Sequence, residues 1–333
     1  MVSKVPKVAV VTRTKDRPVL LERAIQSVHS QTMKDFIHVI YNDGGDASSV
    51  DALVEKYKHI IDGRIKVVHN TTSKGLVSAL NAGVRSANST YVAIHDDDDS
   101  WDKDFLKKTT EHLDTTGAYG VITVVDIVEE KIEGNSVIEI KRGRGLEPVR
   151  GVVSIYDQCL NNYATPITFV YRRAIFDEIG YYNEDLSVAE DWDFTLRFLL
   201  KHDIHSLFTD EALSFYHHRV SSEGAELNSI FVDNGRKFDF HIKSLANHYL
   251  REELKNGSLG LGYLISSIRH NSEQIKAQND TLNDRINESV KHELHYVADG
   301  IKDFVESSNA KNTQAIFDHT LRAKFSKAMK KYE

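Results

Sequence analysis

The feature that most constrains this chain is an alternation in its first hundred residues. Short apolar runs are each followed by an amphipathic stretch. Val8-Ala9-Val10-Val11 reads as a buried strand and Leu20 to His29 as a helix. Ile37 to Tyr41, Ile65 to Val68 and Tyr91 to Ile94 read as further strands, with helices over Val50 to Tyr57 and Leu76 to Ser86 between them. Strands alternating with helices predict a mostly parallel α/β sheet covered by helices on both faces. Ligands of such sheets bind beyond the carboxyl ends of the strands. Three polar segments fall at such ends: Thr12 to Arg17, Asn42 to Asp46, and Asp96 to Asp99. Their coincidence points to one shared site.

Four consecutive aspartates after a buried strand, Asp96-Asp97-Asp98-Asp99, are costly unless something offsets their repulsion. A hard divalent cation does so, because Mg²⁺ or Mn²⁺ prefers oxygen ligands and bridges carboxylates to phosphates. In an extended segment Asp96 and Asp98 project to one side and Asp97 and Asp99 to the other. Capping of a helix starting near Asp102 accounts for Asp99 or Ser100 but not for all four acids. Glu190-Asp191-Trp192-Asp193 opens a predicted helix over Asp191 to Leu200, whose Trp192, Leu196 and Leu199 share a face. Carboxylates there either cap the helix or take a proton from an attacking hydroxyl. Ser73-Lys74-Gly75 precedes a helix and can set Lys74 and backbone amides near phosphate. Of the adjacent His217 and His218, strand alternation sends at most one to a given site.

Val121 to Val125 and Val137 to Lys141 read as a hairpin turning at Glu133-Gly134-Asn135. Beyond about Ile230, apolar residues from Ile268 to Phe304 recur at spacings of 3, 4 and 7, which predicts long helices, paired as a coiled coil or hairpin. They either pack on the preceding domain or join the chain to a copy of itself or another partner. The net charge of -7, without a basic stripe, argues against nucleic acid as a partner. The single cysteine, Cys159, allows no internal disulfide and reads as an inert buried thiol. No run approaches the roughly 18 apolar residues needed to span a membrane, and Met1 to Lys7 is too short and charged for a signal peptide. A cytoplasmic protein is expected, with peripheral association at the inner face of the membrane compatible with that reading.

Together these segments resemble the inverting glycosyltransferases of family 2, which have the GT-A fold. The opening Val8 to Pro18 is similar to that family's first strand and loop, although Arg13 stands where proline is commoner. Leu21 to Val28 through Thr32 matches its first helix, and Tyr41-Asn42-Asp43-Gly44-Gly45 its second-strand acidic turn. Ser73 to Asn81 resembles its third loop and helix. Ile94 to Trp101 carries its DXD metal motif, and Arg172 to Gly180 with Glu190 to Arg197 its acceptor-side ED segment. The resemblance covers roughly residues 5 to 220. It implies a Rossmann-like GT-A domain over 1–228, followed by a C-terminal helical extension over 229–333. It implies nucleotide-sugar contacts from Thr12, Arg13, Thr14, Asp43, Lys74, Asp96 and Asp97. Asp98 and Asp96 would bind Mn²⁺ or Mg²⁺, with His218 as a further ligand, and Asp191 would be the general base toward a saccharide acceptor. Lys74, Arg13 or one of His217, His218 and Arg219 would assist at the departing diphosphate, and an ordinary aspartate pKa near 4 would suffice for the base. UDP is the default nucleotide, and surface polysaccharide biosynthesis the typical setting. A nucleotidyltransferase is the alternative, but the loop between Thr12 and Pro18 lacks the glycines such an enzyme uses to hold a triphosphate. A non-catalytic nucleotide-sugar-binding module is the second alternative.

Overall fold

The computed structural model describes residues 5–134, 136–146, 149–219, 236–307 and 324. The alternation predicted at the start of the chain is realised as β1 (Val8–Thr14), α1 (Pro18–His29), β2 (Phe36–Asp43), α2 (Ala47–Lys56), α3 (Lys58–Ile61), β3 (Ile65–Asn70), α4 (Leu76–Arg85) and β4 (Tyr91–Ile94). Pro18 opens α1, where its missing N–H costs nothing. Asp46 caps α2 by accepting from the backbone N–H groups of Ser48 and Ser49. Val8 to Val11 and Tyr91 to Ile94 are buried along their whole length, as strands covered on both faces must be.

The chain continues through β5 (Ser100–Trp101), α5 (Phe105–Thr116), β6 (Gly120–Thr123), β7 (Val125–Glu133), β8 (Ser136–Arg144), β9 (Gly151–Val152), α6 (Ile155–Leu160), β10 (Phe169–Arg172), α7 (Ile175–Ile179), α8 (Glu190–Leu199), β11 (Ile204–Leu207) and β12 (Ser214–His218). The main sheet has the order β3-β2-β1-β4-β10-β6-β11-β9. Within it β3, β2, β1 and β4 are mutually parallel, β10 is antiparallel to both neighbours, and β9 is antiparallel to β11. The order turns back at β1, between β2 and β4, which is where a parallel sheet opens a crevice at its carboxyl edge.

A second sheet, β5-β12-β7-β8, lies beside the first. The expected hairpin forms, between β7 and β8 with Glu133 opposite Ser136, but its first strand is not Val121 to Val125. The run Val121 to Val125 is two strands: β6 stays in the main sheet, and β7 leaves it to pair with β8. The changeover is at Val124, whose carbonyl accepts from the N–H groups of Leu213 and Ser214 at the start of β12. The expected turn residue Asn135 lies outside the described residues.

Two helices follow, α9 (Arg236–Lys255) and α10 (Leu261–Ser307). The chain divides into compact units at 269/270. The boundary expected at 228/229 lies outside the described residues. In the first unit Ile242 and Ala246 of α9 and Leu261, Ile265 and Ile268 of α10 form a core with Cys159, Trp192 and Leu196. Gly262 permits this packing, because a Cβ there would lie 2.2 Å from the backbone nitrogen of Leu250. Burial pushes the Cys159 thiol up to about 11, which makes it inert. In the second unit Ile275, Leu282, Ile286, Val290 and Leu294 are exposed. No helix among the described residues is long and apolar enough to cross a membrane.

Candidate active site

The aspartate run is a turn, and this overturns the alternation expected of it. The Asp96 carbonyl accepts from the Asp99 N–H, so Asp96, Asp97 and Asp98 all face one cleft instead of alternating sides. Each carboxylate meets an arginine. Asp96 Oδ1 lies 2.9 Å from Arg13 Nε, Asp97 Oδ1 2.8 Å from Arg17 Nη1, and Asp98 Oδ2 2.5 Å from Arg219 Nη2. Asp99 is not a helix cap: α5 starts later, at Phe105, and Asp99 Oδ1 accepts from the His217 N–H at 3.0 Å, tying the turn to β12.

Burial drives Asp97, Asp98 and Asp99 upward, and the neighbouring charges decide where each settles. Asp98 ends below the usual carboxylate range because Arg17 and Arg219 outweigh its burial. Asp97 is pushed up to about 6 by burial, against Arg17 and with the charges of Asp98 and Asp96. Asp99 lies well above the usual range through burial and the charge of Asp98. Behind the turn sits a buried ion network. Arg219 Nη1 reaches Glu130 Oε1 at 3.0 Å, and Glu130 Oε2 is 2.7 Å from Arg23 and 2.6 Å from His217 Nδ1. Burial raises Glu130, but His217 and Arg23 overcome it and bring its carboxyl down to about 2. Arg23 also donates to the Asp98 carbonyl.

The cleft has a volume of about 370 Å³ and is lined by Arg13, Thr14, Arg17, Asp43 and Ser73 besides the aspartates. Thr14 donates to Asp97 Oδ2 at 2.7 Å. Thr12 is turned inward: its hydroxyl donates to the His95 carbonyl and meets His38 inside the sheet. Asp43, at the end of β2, accepts from Ser73 Oγ at 2.6 Å and from the Lys74 and Gly75 N–H groups at 2.9 and 3.0 Å. Burial raises this carboxyl, and those donors bring it below its ordinary value. Gly44, at φ +78°, is required here: a Cβ would come within 2.5 Å of the Ser73 nitrogen. Lys74 itself is exposed and contributes its backbone to the loop.

A second cavity of about 250 Å³ shares Arg13, Leu76 and Asp96 with the first and contains Glu190, Asp191, Asn162 and Tyr216. Arg13 forms the common wall, bonding Asp96 on one side and Glu190 Oε1 at 3.0 Å on the other. Asp191 Oδ1 accepts from the Trp192 N–H at 2.8 Å, and Oδ2 accepts from Asn162 Nδ2 at 2.7 Å. Burial and then the charge of Glu190 push Asp191 up to about 7, against Trp192 N–H, Arg13 and Asn162. The expectation of an ordinary value near 4 is thereby corrected. Asp193 is structural: it accepts from Arg197 and from the Tyr249 hydroxyl of α9.

On β12 the two histidines separate as alternation requires. His217 turns to Glu130 and Ser100, whereas His218 lies edge-on to Tyr216, 4.6 Å between ring centroids. Burial, then Arg219, lowers the His218 pKa, which keeps its imidazole neutral. Among the described residues no three His, Cys, Asp or Glu side chains converge as a ready-made metal cage. Arg23, Glu130 and Asn162 were not legible as site residues, because each acts through a partner distant in sequence.

A mostly parallel sheet whose carboxyl edge carries an acidic turn and, across a shared wall, a buried carboxylate has the architecture of the GT-A fold. Residues 9–180 match glycosyl transferase family 2, and the chain belongs to that family. It is 28% identical over 197 residues to the glycosyltransferase YwdF of Bacillus subtilis (strain 168), covering 57% of this chain and 67% of that one. It is 23% identical over 228 residues to the poly(ribitol-phosphate) β-N-acetylglucosaminyltransferase TarS of Staphylococcus aureus, covering 68% of this chain and 38% of TarS. The chain thus spans between about a third and two thirds of these relatives' length. In structure it is similar to TarS residues 1–349, with a TM-score of 0.55 at 21% identity over 80% of this chain and 71% of that one. It is also similar to the mannosyltransferase PcManGT of Pyrobaculum calidifontis in complex with GDP-Man and Mn²⁺, with a TM-score of 0.51 at 14% identity over 80% and 70% of the two chains.

Proposed function

We propose that this protein transfers a sugar from a nucleotide-sugar to a hydroxyl of a glycan acceptor, with inversion at the anomeric carbon and Asp191 as the general base. The observation that carries this reading is the shared wall: Arg13, Leu76 and Asp96 line both the aspartate cleft and the Asp191 cavity. A donor lying along Asp43, Asp96 and Asp97 presents its sugar toward Asp191. The acceptor hydroxyl gives its proton to the Asp191 carboxylate as its oxygen bonds to the anomeric carbon. The bond from that carbon to the diphosphate breaks, and its electron pair leaves with the nucleotide. A proton affinity near neutrality suits a base that must take up and release a proton in each cycle.

The donor set suits a hard divalent cation. Asp96 and Asp98 offer carboxylate oxygens, Asp98 is held ionised, and His218 does not converge with these two as a third ligand among the described residues. Mn²⁺ or Mg²⁺ bound there would neutralise charge on the departing diphosphate. Arg13 and Arg17 line the same cleft as cations of this chain. UDP as the nucleotide and a cell-surface polysaccharide as the acceptor are supported by relatives: the solved structures of TarS include a UDP-GlcNAc complex, and ExoO of Rhizobium meliloti is named for succinoglycan biosynthesis. We further propose that the exposed apolar residues of α10 serve self-association.

Asp191→Asn is expected to lower transfer by roughly 10²–10⁴-fold while leaving UDP binding in the presence of Mn²⁺ nearly intact by titration calorimetry. Turnover at the wild-type rate would remove Asp191 from this role. In the same titration Asp98→Ala is expected to lose the Mn²⁺-dependent part of UDP affinity. Affinity unchanged by the substitution would sink the metal assignment.

A further inference from the structure

We propose that Asn162 is a positioning residue for Asp191, presented donor-first to the carboxylate by a second amide, Gln158. The inference rests on Asp191 being the base, as proposed above.

The orientation of both amides follows from one backbone group. The Tyr163 N–H, which can only donate, lies 3.1 Å from Gln158 Oε1 and so fixes that atom as the acceptor. Gln158 Nε2 is then the donor, and it reaches Asn162 Oδ1 at 2.8 Å and Thr195 Oγ1 at 2.7 Å. With its oxygen taken, Asn162 has only Nδ2 to offer Asp191 Oδ2, 2.7 Å away. Gln158 has no exposed surface, and its own carbonyl accepts from Trp192 Nε1 at 2.5 Å. The loop after α6 and the first turn of α8 are thus locked together around the carboxylate.

Asp191 therefore accepts one donor on each oxygen, from the Trp192 N–H and from Asn162. Two donors fix the carboxylate plane and favour the ionised form, the one able to accept a proton. The other charged and titratable groups facing it are Glu190 on the same helix, Arg13 from β1, Tyr182 ahead of α8 and Tyr216 from β12. Burial and Glu190 oppose ionisation and prevail, whereas the Trp192 and Asn162 donors and the charge of Arg13 favour it. A flipped Asn162 would turn a carbonyl toward the carboxylate and reverse its contribution. Gln158 prevents that flip.

The test needs no substrate. The full-length protein is labelled with aspartate carrying ¹³C at the side-chain carboxyl, and the Asp191 resonance is identified by its loss in Asp191→Asn. Its titration midpoint is then followed by NMR. In Asn162→Leu the midpoint is expected to rise by about 1–2 pH units, the worth of one hydrogen bond to a charged group. Gln158→Met does not touch Asp191, so a rise there, in the same direction and smaller, reports the orientation of the Asn162 amide and not local desolvation. A midpoint that stays in place in Gln158→Met overturns the relay. A midpoint that stays in place in Asn162→Leu overturns the role of Asn162, whatever happens to activity. Transfer by Asp191→Asn at the wild-type rate would instead overturn the base assignment and leave the titration result standing.

Discussion

Arg219 shows what single residues contribute here. It has no exposed surface and stands between Glu130 and Asp98, two carboxylates that burial alone would leave uncompensated. Arg219→Met is expected to cost about 3–5 kcal/mol in urea unfolding, the usual penalty for breaking a buried pair from one side. Asp191 acts on stability in the opposite direction. Its proton is held to about pH 7 in the fold, whereas an ordinary aspartate releases it near 3.8. Between those values the unfolded chain gives up the proton first, so stability falls as pH rises through that window. Asp191→Asn removes the penalty: its melting temperature is expected to match wild type near about pH 4 and exceed it near about pH 8. The aspartate run and Asp191 were legible because they stand in contiguous acidic motifs. Arg219 stood out beside His217 and His218, but its pairing with Asp98 was not legible, since the two lie 121 positions apart. Asn162 carries no local signal at all; only the loop after α6 brings it to Asp191.

At the scale of elements, the repeat of strand and helix up to β4 was readable because strands covered on both faces leave unbroken apolar runs. The second sheet was not readable, because Val121 to Val125 is one apolar run that serves two sheets. The break at Val124 is made by Leu213 and Ser214, about ninety positions on, and no local period announces it. That break matters for the site, since it lets β12 carry Tyr216 to the Asp191 cavity and His217 to Asp99. Helix α10 offers a cleaner test of packing. Gly262→Ala places a methyl group against the Leu250 backbone, which cannot yield as a side-chain tip would. It is expected to cost about 1–3 kcal/mol and to speed hydrogen exchange in α9 and the first turns of α10, while β1 to β4 keep their protection.

At the scale of the whole molecule, the first compact unit ends at Arg269 and carries every residue assigned to the site. A chain ended there is expected to keep the unfolding midpoint of that unit, as followed by tryptophan fluorescence, since both tryptophans, Trp101 and Trp192, lie in its cores. Light scattering of the full chain and the shortened one then reports whether the exposed face of α10 joins copies. The wall between the two cavities bears on how this enzyme can diverge. Arg13 stands where family 2 commonly has proline, and its guanidinium bonds the aspartate turn and Glu190 at once. On the function proposed above, a substitution selected for a new donor at this position also disturbs the acceptor side. The effects of changes at Asp96 and Glu190 should therefore not add, and donor and acceptor preference should drift together through evolution, not as two traits.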